Sequence, residues 1–303
     1  MYLFGKKGWT RFIPFLGMLP ALILYGVFTL GPSLATVFLS LTDISGVPGD
    51  PWHFIGLANY YEFFFKTNAR DNLTALLHTL IFACVVTIVQ NVLGLLLAIV
   101  LHRKLRGRSF YRAVIFLPTI LGVTVIGLMW SLILNPQGGP IESLLNLFGH
   151  YSNLLGDYTA AFPLVIGVQV WMTVGFSMVI FLAGLQAIPA ELHDAGHVDG
   201  ASRWQIFRTI TFPLLAPAVT VNVLLSIIGS LQNYQTVYVL TQGQNNTMVL
   251  GMQIFQQAFG AAQVGFSSMR QGYGSAISVV QFFLVLAIVI IFQLYLRRRE
   301  VQL

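Results

Sequence analysis

A helix needs about 20 predominantly apolar residues to cross a bilayer, and six stretches of this chain reach that length: 12–41, 73–101, 113–134, 161–188, 210–240 and 273–296. Prolines inside them (Pro20, Pro32, Pro118, Pro163, Pro213 and Pro217) predict kinked spans, tolerated where neighbouring helices satisfy the freed carbonyls. The connections 42–72, 135–160 and 242–271 are too short for a separate soluble domain. The second of them carries Ile141, Leu144, Leu145, Leu147 and Phe148 at helical spacing, which predicts a short helix on the rim of the bundle.

One long interior polar segment, from Ala190 to Gln205, breaks this pattern without being rich in Gly or Asn. Its local signals predict two short helices. Pro189 suits a first helical position, and Gly200 can take the left-handed conformation that ends a helix. Ser202 and Gln205 stand at capping-box spacing. A helix–turn–helix between two spans predicts a docking feature.

Composition agrees with the span pattern. Of 303 residues, 56% are hydrophobic and only 9% charged, against roughly 25% charged in a soluble domain. The mean hydropathy is +0.77. The class is therefore all-α integral membrane. A net charge of +6 does not point to nucleic acid, because the basic residues sit at span ends. Lys6, Lys7, Arg11, Arg103, Lys104, Arg106, Arg108, Arg112, Arg203, Arg208, Arg297, Arg298 and Arg299 lie on one side; only Lys66, Arg70 and Arg270 lie on the other. The positive-inside rule then places both termini and the helix–turn–helix in the cytoplasm. The expected layout is a cytoplasmic tail (1–11), a six-helix membrane domain (12–296) and a second cytoplasmic tail (297–303). Lys6, Lys7 and Arg11 resemble the start of a signal peptide, but the run behind them is too long and reads as a retained span. The lone cysteine, Cys84, rules out an internal disulfide and reads as a small buried hydrophobe.

Catalytic chemistry finds no support. There is no phosphate loop, no H-E-x-x-H zinc motif and no paired carboxylate inside a span, so neither a catalytic residue nor a metal site is expected. No Asp, Glu, Lys or Arg falls deep in a span, which argues against proton coupling within the chain. His78, near a span end, reads as a satisfied polar residue in preference to a proton relay. The fifth stretch is the most polar. There Ser226, Ser230, Asn233 and Val237 share one helical face, with Gly229 beside them, and that face reads equally as a polar path or as interhelical glue. Met172, Thr173 and Phe176 share a face of the fourth stretch, where packing is the simpler reading. Glu191, Asp194 and Asp199 make the first half of the hairpin acidic. Anionic lipids would repel it, so a protein partner is favoured.

The hairpin also carries a resemblance. Asp194-Ala195-Gly196, three residues, Gly200, nine residues and Ile210-Thr211-Phe212-Pro213 resemble the E-A-A-x3-G-x9-I-x-L-P loop of ABC importer permeases, with Asp194, Gly196 and Phe212 as departures. Phe54-Ile55-Gly56-Leu57-Ala58-Asn59-Tyr60, Phe116-Leu117-Pro118, Gly175-Phe176, Leu182–Pro189 and Gly272–Ser278 are similar to segments of the maltose and glycerol-3-phosphate type of carbohydrate-uptake permease. The run 260–271 is longer than in that pattern and lacks its G-G-P after Thr241. The resemblance implies the type I importer permease fold and a subunit, not an enzyme, of an ATP-driven importer in a bacterial or archaeal plasma membrane. Its implied partners are a second, related permease chain, two ABC ATPases that bind ATP and Mg, an extracytoplasmic sugar-binding protein and a carbohydrate substrate. No cofactor is implied for this chain. Glu191, Asp194, Ala195, Gly196, Asp199, Gly200 and Ala201 (in the loop 189–213) would couple to the ATPase, and Met172, Thr173, Phe176, Ser226, Gly229, Ser230 and Asn233 would face the substrate path. From the residues alone, an ATP-independent carrier or channel for a small polar solute is the alternative, and a transport-inactive scaffold a third reading.

Overall fold

The computed structural model describes residues 9–66, 69–103, 105–149, 153–260 and 269–297. Lys6, Lys7, Lys104, Arg298, Arg299 and Glu300, most of both tails and the middle of the run 260–271 lie outside the described residues. Among the described residues the chain is helical; an isolated antiparallel bridge, Thr42 to Phe54, is the extent of β pairing. Contacts divide it into two units, 1–63 with 256–280 and 64–255 with 281–303.

In the first unit α1 (Trp9–Tyr25) continues through a π-helical turn (Gly26–Leu30) into α2 (Gly31–Leu39). The short α3 (Ala58–Phe65) follows, and the N-terminal part of α15 (Gln271–Arg297) completes the unit. The buried Asn59 amide donates to the carbonyls of Ser40 and Thr42, both at 2.9 Å, and the Tyr60 hydroxyl meets Ser40 Oγ at 2.7 Å. Asn59 of the first connection thus satisfies backbone carbonyls left open where α2 ends, and Tyr60 holds the Ser40 side chain. Arg270 pairs with Glu62 at 2.7 Å and lies over the Tyr273 ring.

The second unit is built on α4 (Ala69–His102) lying along α8 (Ala161–Gln186). Two buried clusters fill the seams. One joins Phe82 and Val86 of α4 to Val165 and Val168 of α8; the other joins Ala98 and Leu101 to Met178, Phe181 and Leu185. Both helices are apolar all round, as expected of spans that face protein on one side and lipid on the other.

The third and fifth stretches are not the continuous spans that hydropathy predicts. The third is α5 (Arg108–Ile120) and α6 (Val123–Ile133), bent by 98°. Pro118 has no N–H to donate within α5, and Leu121 and Gly122 are extended, with ψ of 140° and 141°. A rim helix, α7 (Pro140–Leu147), follows as predicted; Ile141 and Leu145 pack inward while Leu144 and Leu147 are exposed. The fifth stretch begins as a segment at 203–214 that meets α12 (Ala216–Leu231) at 66°. Pro213 and Pro217 flank the bend at Leu215, which is itself fully buried. After α12 the helix stops, Gln232–Tyr234 are irregular, and α13 (Gln235–Leu240) resumes. Among the described residues four helices are long and apolar enough to cross a membrane, and counting each bent pair as one span gives six.

Two further expectations are corrected. Cys84 is exposed on the outer face of α4. Pro189 caps the next helix from outside, with ψ of 134°, so the first helical residue is Ala190. Within the connection 242–271, α14 (Leu250–Phe259) starts with Leu250 and Met252 buried, and the Leu250 N–H donates to Thr79 of α4 at 2.8 Å. His78 is a satisfied polar residue, its Nδ1 lying 3.1 Å from the Met248 carbonyl oxygen.

Candidate functional site

The polar segment between the fourth and fifth spans folds as a stapled hairpin. Its first helix, α9 (Ala190–Val198), carries Glu191 in the first turn, where a carboxylate favours the positive end of the helix dipole. The helix ends in a complete Schellman turn: Ala201 N–H donates to Gly196 O at 3.0 Å and Gly200 N–H to His197 O at 3.1 Å. Gly200 has φ of +74°, the left-handed region that residues with a side chain avoid. The second helix, α10 (Arg203–Ile206), opens with the predicted capping box. Ser202 N–H donates to Gln205 Oε1 at 2.7 Å, and Gln205 N–H donates to Ser202 Oγ at 3.3 Å.

Two contacts hold the helices together. Gly196 is the buried residue of α9, and a Cβ there would lie 3.1 Å from both Ile206 Cγ1 and Ile210 Cδ1. His193 Nε2 lies 3.2 Å from Thr211 Oγ1 in the π-helical turn (Phe207–Thr211) that leads to α11 (Phe212–Leu214). Of the residues predicted to couple, Glu191, Asp194, Ala195, Asp199 and Gly200 are exposed, Ala201 is half-buried, and Gly196 is the hidden staple. Sequence reasoning missed Val198, 87% exposed, and Trp204, 67% exposed. Large apolar side chains held out on a rigid turn suit a protein contact, and their position between two capped helices was the available signal.

The residues predicted for a substrate path are not equivalent. Ser226 and Ser230 are both buried, and Asn91 Nδ2 of α4 donates to Ser226 Oγ at 3.0 Å. The helix ends before Asn233, so the expected single face of α12 stops at Ser230. Asn233 is half-buried and donates to Gln169 Oε1 at 3.0 Å; Thr236 Oγ1 donates to the same oxygen at 2.6 Å. Thr173 Oγ1 lies 3.0 Å from Gln90 Oε1 and 2.8 Å from Gln169 O, and Gln90 Nε2 donates to Ser177 Oγ at 2.7 Å. One hydrogen-bonded network therefore joins Thr173 to Asn233 through Gln169, and Gln90 extends it to α4. Met172 is half-buried against the first cluster, whereas Phe176 and Gly229 are exposed. Gln90, Asn91 and Gln169 were missed, although an isolated amide within an apolar span is itself a signal of interhelical bonding. Among the described residues no group of His, Cys, Asp or Glu could hold a metal ion.

Comparison with known proteins places this geometry. Residues 90–302 match the family model described as the binding-protein-dependent transport system inner membrane component. The trehalose/maltose transport system permease protein MalF of Thermococcus litoralis is 33% identical over 280 residues, covering 92% of this chain and 91% of that protein. The trehalose transport system permease protein SugA of Mycobacterium tuberculosis is 32% identical over 288 residues, covering 95% and 90%. In fold, the chain is similar to a solved bacterial ABC transporter involved in import of the acidic polysaccharide alginate. The TM-score is 0.79 at 20% identity, covering 97% of this chain and 99% of that one.

Proposed function

We propose a role in sugar import on one premise: the chain belongs to the family of binding-protein-dependent transport system inner membrane components. It is a multi-pass inner-membrane transport subunit with the fold of an ABC importer permease. On our reading it carries a sugar or oligosaccharide into the cytoplasm, powered by ATP hydrolysis in a separate ATPase. The names of the relatives support the substrate class, and the absence of a phosphate loop in the sequence supports a separate source of energy.

The observation that carries the proposal is the exposed, doubly capped hairpin within 189–213. A lever must be stiff along its length and bare where it is gripped. The Schellman turn, the capping box and the Gly196 contact supply the stiffness, and Val198, Trp204, Glu191, Asp194 and Asp199 are available to the partner. The charge bias of the sequence supports placing the hairpin and both termini, with the tails 1–11 and 297–303, in the cytoplasm. The assembly then comprises a second, related permease, two ATPases that bind ATP and Mg, and an extracytoplasmic sugar-binding protein; this chain holds no cofactor. Within the membrane domain, Phe176 and Gly229 are the path residues open to a ligand. Met172, Thr173, Ser226, Ser230 and Asn233 act behind them by fixing α8 and α12.

Gly200→Val tests the lever. Forcing a β-branched residue to φ near +74° costs about 1–2 kcal/mol locally and shifts the turn. Membrane insertion should be normal, while ATP hydrolysis in the assembled transporter no longer drives uptake. Undiminished uptake by this variant would overturn the assignment of the hairpin.

A further inference from the structure

At the hairpin end of the second unit lies an open cavity of about 440 Å³. Its polar lining is Arg103, just after α4, with His193, His197, Arg203 and Thr211; Ile206 and Phe207 form an apolar wall. No carboxylate lines it. Among the described residues neither Arg103 nor Arg203 makes an ion pair, so two guanidiniums face one space without a counter-charge, beside two imidazoles. Such an arrangement is self-repulsive until an anion enters, and a guanidinium fork matches phosphate oxygens in bidentate geometry.

The surroundings indicate where that phosphate comes from. Trp204 stacks on Phe207, with ring centroids 5.6 Å apart and planes at 26°, and Phe207 lies 6.1 Å from Phe212. This aromatic line runs along a segment set at 66° to the span that follows it. The line leads from the partner-facing Trp204 back towards the span, and basic pockets beside spans on the cytoplasmic side bind anionic headgroups. The acids of the hairpin, Glu191, Asp194 and Asp199, would repel such a lipid from their own surface, but none of them lines this cavity.

We infer that the cavity binds a phosphate group, presented by an acidic phospholipid of the bilayer, with Arg103 and Arg203 as its principal ligands. The bound headgroup bridges the end of α4 to the hairpin. This holds whatever the chain transports.

The test is native mass spectrometry of the detergent-purified full-length protein in its natural assembly, titrated with phosphatidylglycerol, phosphatidylcholine or inorganic phosphate. Arg103→Gln with Arg203→Gln should lower retained phosphatidylglycerol on the order of tenfold and leave phosphatidylcholine unchanged. Arg208→Gln, on the same segment but outside the lining, should match the wild type. If the glutamine pair does not fold, the corresponding lysine pair, which keeps charge but loses the fork, should still retain less phosphatidylglycerol than wild type. Displacement by millimolar inorganic phosphate supports the phosphate site and assigns it to a soluble phosphate ester. Equal phosphatidylglycerol retention by wild type and all variants overturns the proposal. If retention is equal but the arginine variants lose a co-purifying protein, the cavity belongs instead to carboxylates of that protein.

Discussion

Gly196 and Gly200 shape the hairpin by different physical means. Gly200 supplies a backbone conformation, and Gly196 supplies an absence of volume. A Cβ at Gly196 would already be tight against Ile206 and Ile210 at 3.1 Å, and the branches of valine have nowhere to go. Gly196→Val should therefore separate the two helices at a cost of about 1–3 kcal/mol, typical of overpacking. Hydrogen exchange at the Gln205 and Ile206 amides would report it as faster opening, with the middle of α4 unaffected; unchanged exchange would mean that the contact is not a staple. Gln169 is the second decisive residue. One carbonyl oxygen on α8 receives both Asn233 Nδ2 and Thr236 Oγ1. Gln169→Leu removes that acceptor, leaves the buried Thr236 hydroxyl proton without it and Asn233 Nδ2 with its longer 3.4 Å bond to Thr236 Oγ1, and should cost about 1–2 kcal/mol. A thermal unfolding midpoint in detergent equal to that of wild type would contradict this. Nothing in hydropathy singled out Gln169, because one amide barely lowers the average of a 26-residue helix.

At the scale of elements, the ends of the helices carry most of the information. The hairpin was legible because caps obey local rules: Ser202 with Gln205, and Gly200 at a helix end, work through neighbours three or four residues away. Long spans such as α4 and α8 were legible from their uninterrupted apolar length. The breaks were legible only in part. Pro118, Pro213 and Pro217 predicted kinks in the third and fifth stretches, but apolar length is blind to backbone direction, so the size of the bends, 98° and 66°, and the stop after Leu231 are invisible to it. Cys84 was misread for the same reason: on a helix that is apolar all round, sequence cannot say which face meets the bundle. Entry into α8 is fixed by a polar cap instead. Asp157 accepts from the Thr159 hydroxyl at 2.7 Å, the Thr159 N–H at 2.7 Å and the Ala160 N–H at 3.2 Å. These bonds, the hydroxyl's foremost, hold its carboxyl below the usual 3.8. A lowered folded-state pKa contributes stability above the unfolded value that is lost as pH falls through the folded one. Protection of the Ala160 amide should thus persist down to pH 3.8 and decline below it. In Asp157→Asn it should be insensitive to pH, and a decline beginning well above pH 3.8 in the wild type would contradict the assignment.

At the scale of the whole molecule, only 39% and 50% of the most apolar stretches of α4 and α8 are buried among the described residues, which leaves apolar faces that on the proposed function meet lipid and a second permease. Phe176 on α8 and Gly229 on α12 are among the exposed positions; Gln169 and Thr173 tie α8 to Asn233, α13 and α4, and Asn91 ties α12 to α4, so a path between two such chains would be walled by groups whose positions are set from behind. Energy would enter at the hairpin and reach this face through α8 and α12, the helices it connects. The central claim is that movement of solute requires this chain to be driven by an ATPase. The most direct measurement is uptake of labelled mono- and oligosaccharides into proteoliposomes, comparing the complete ATP-supplied transporter with this chain alone. Our account predicts ATP-dependent accumulation by the complete transporter and no flux through the isolated chain. Sugar equilibrating through the isolated chain without ATP would contradict it and would make the protein a carrier or channel in its own right.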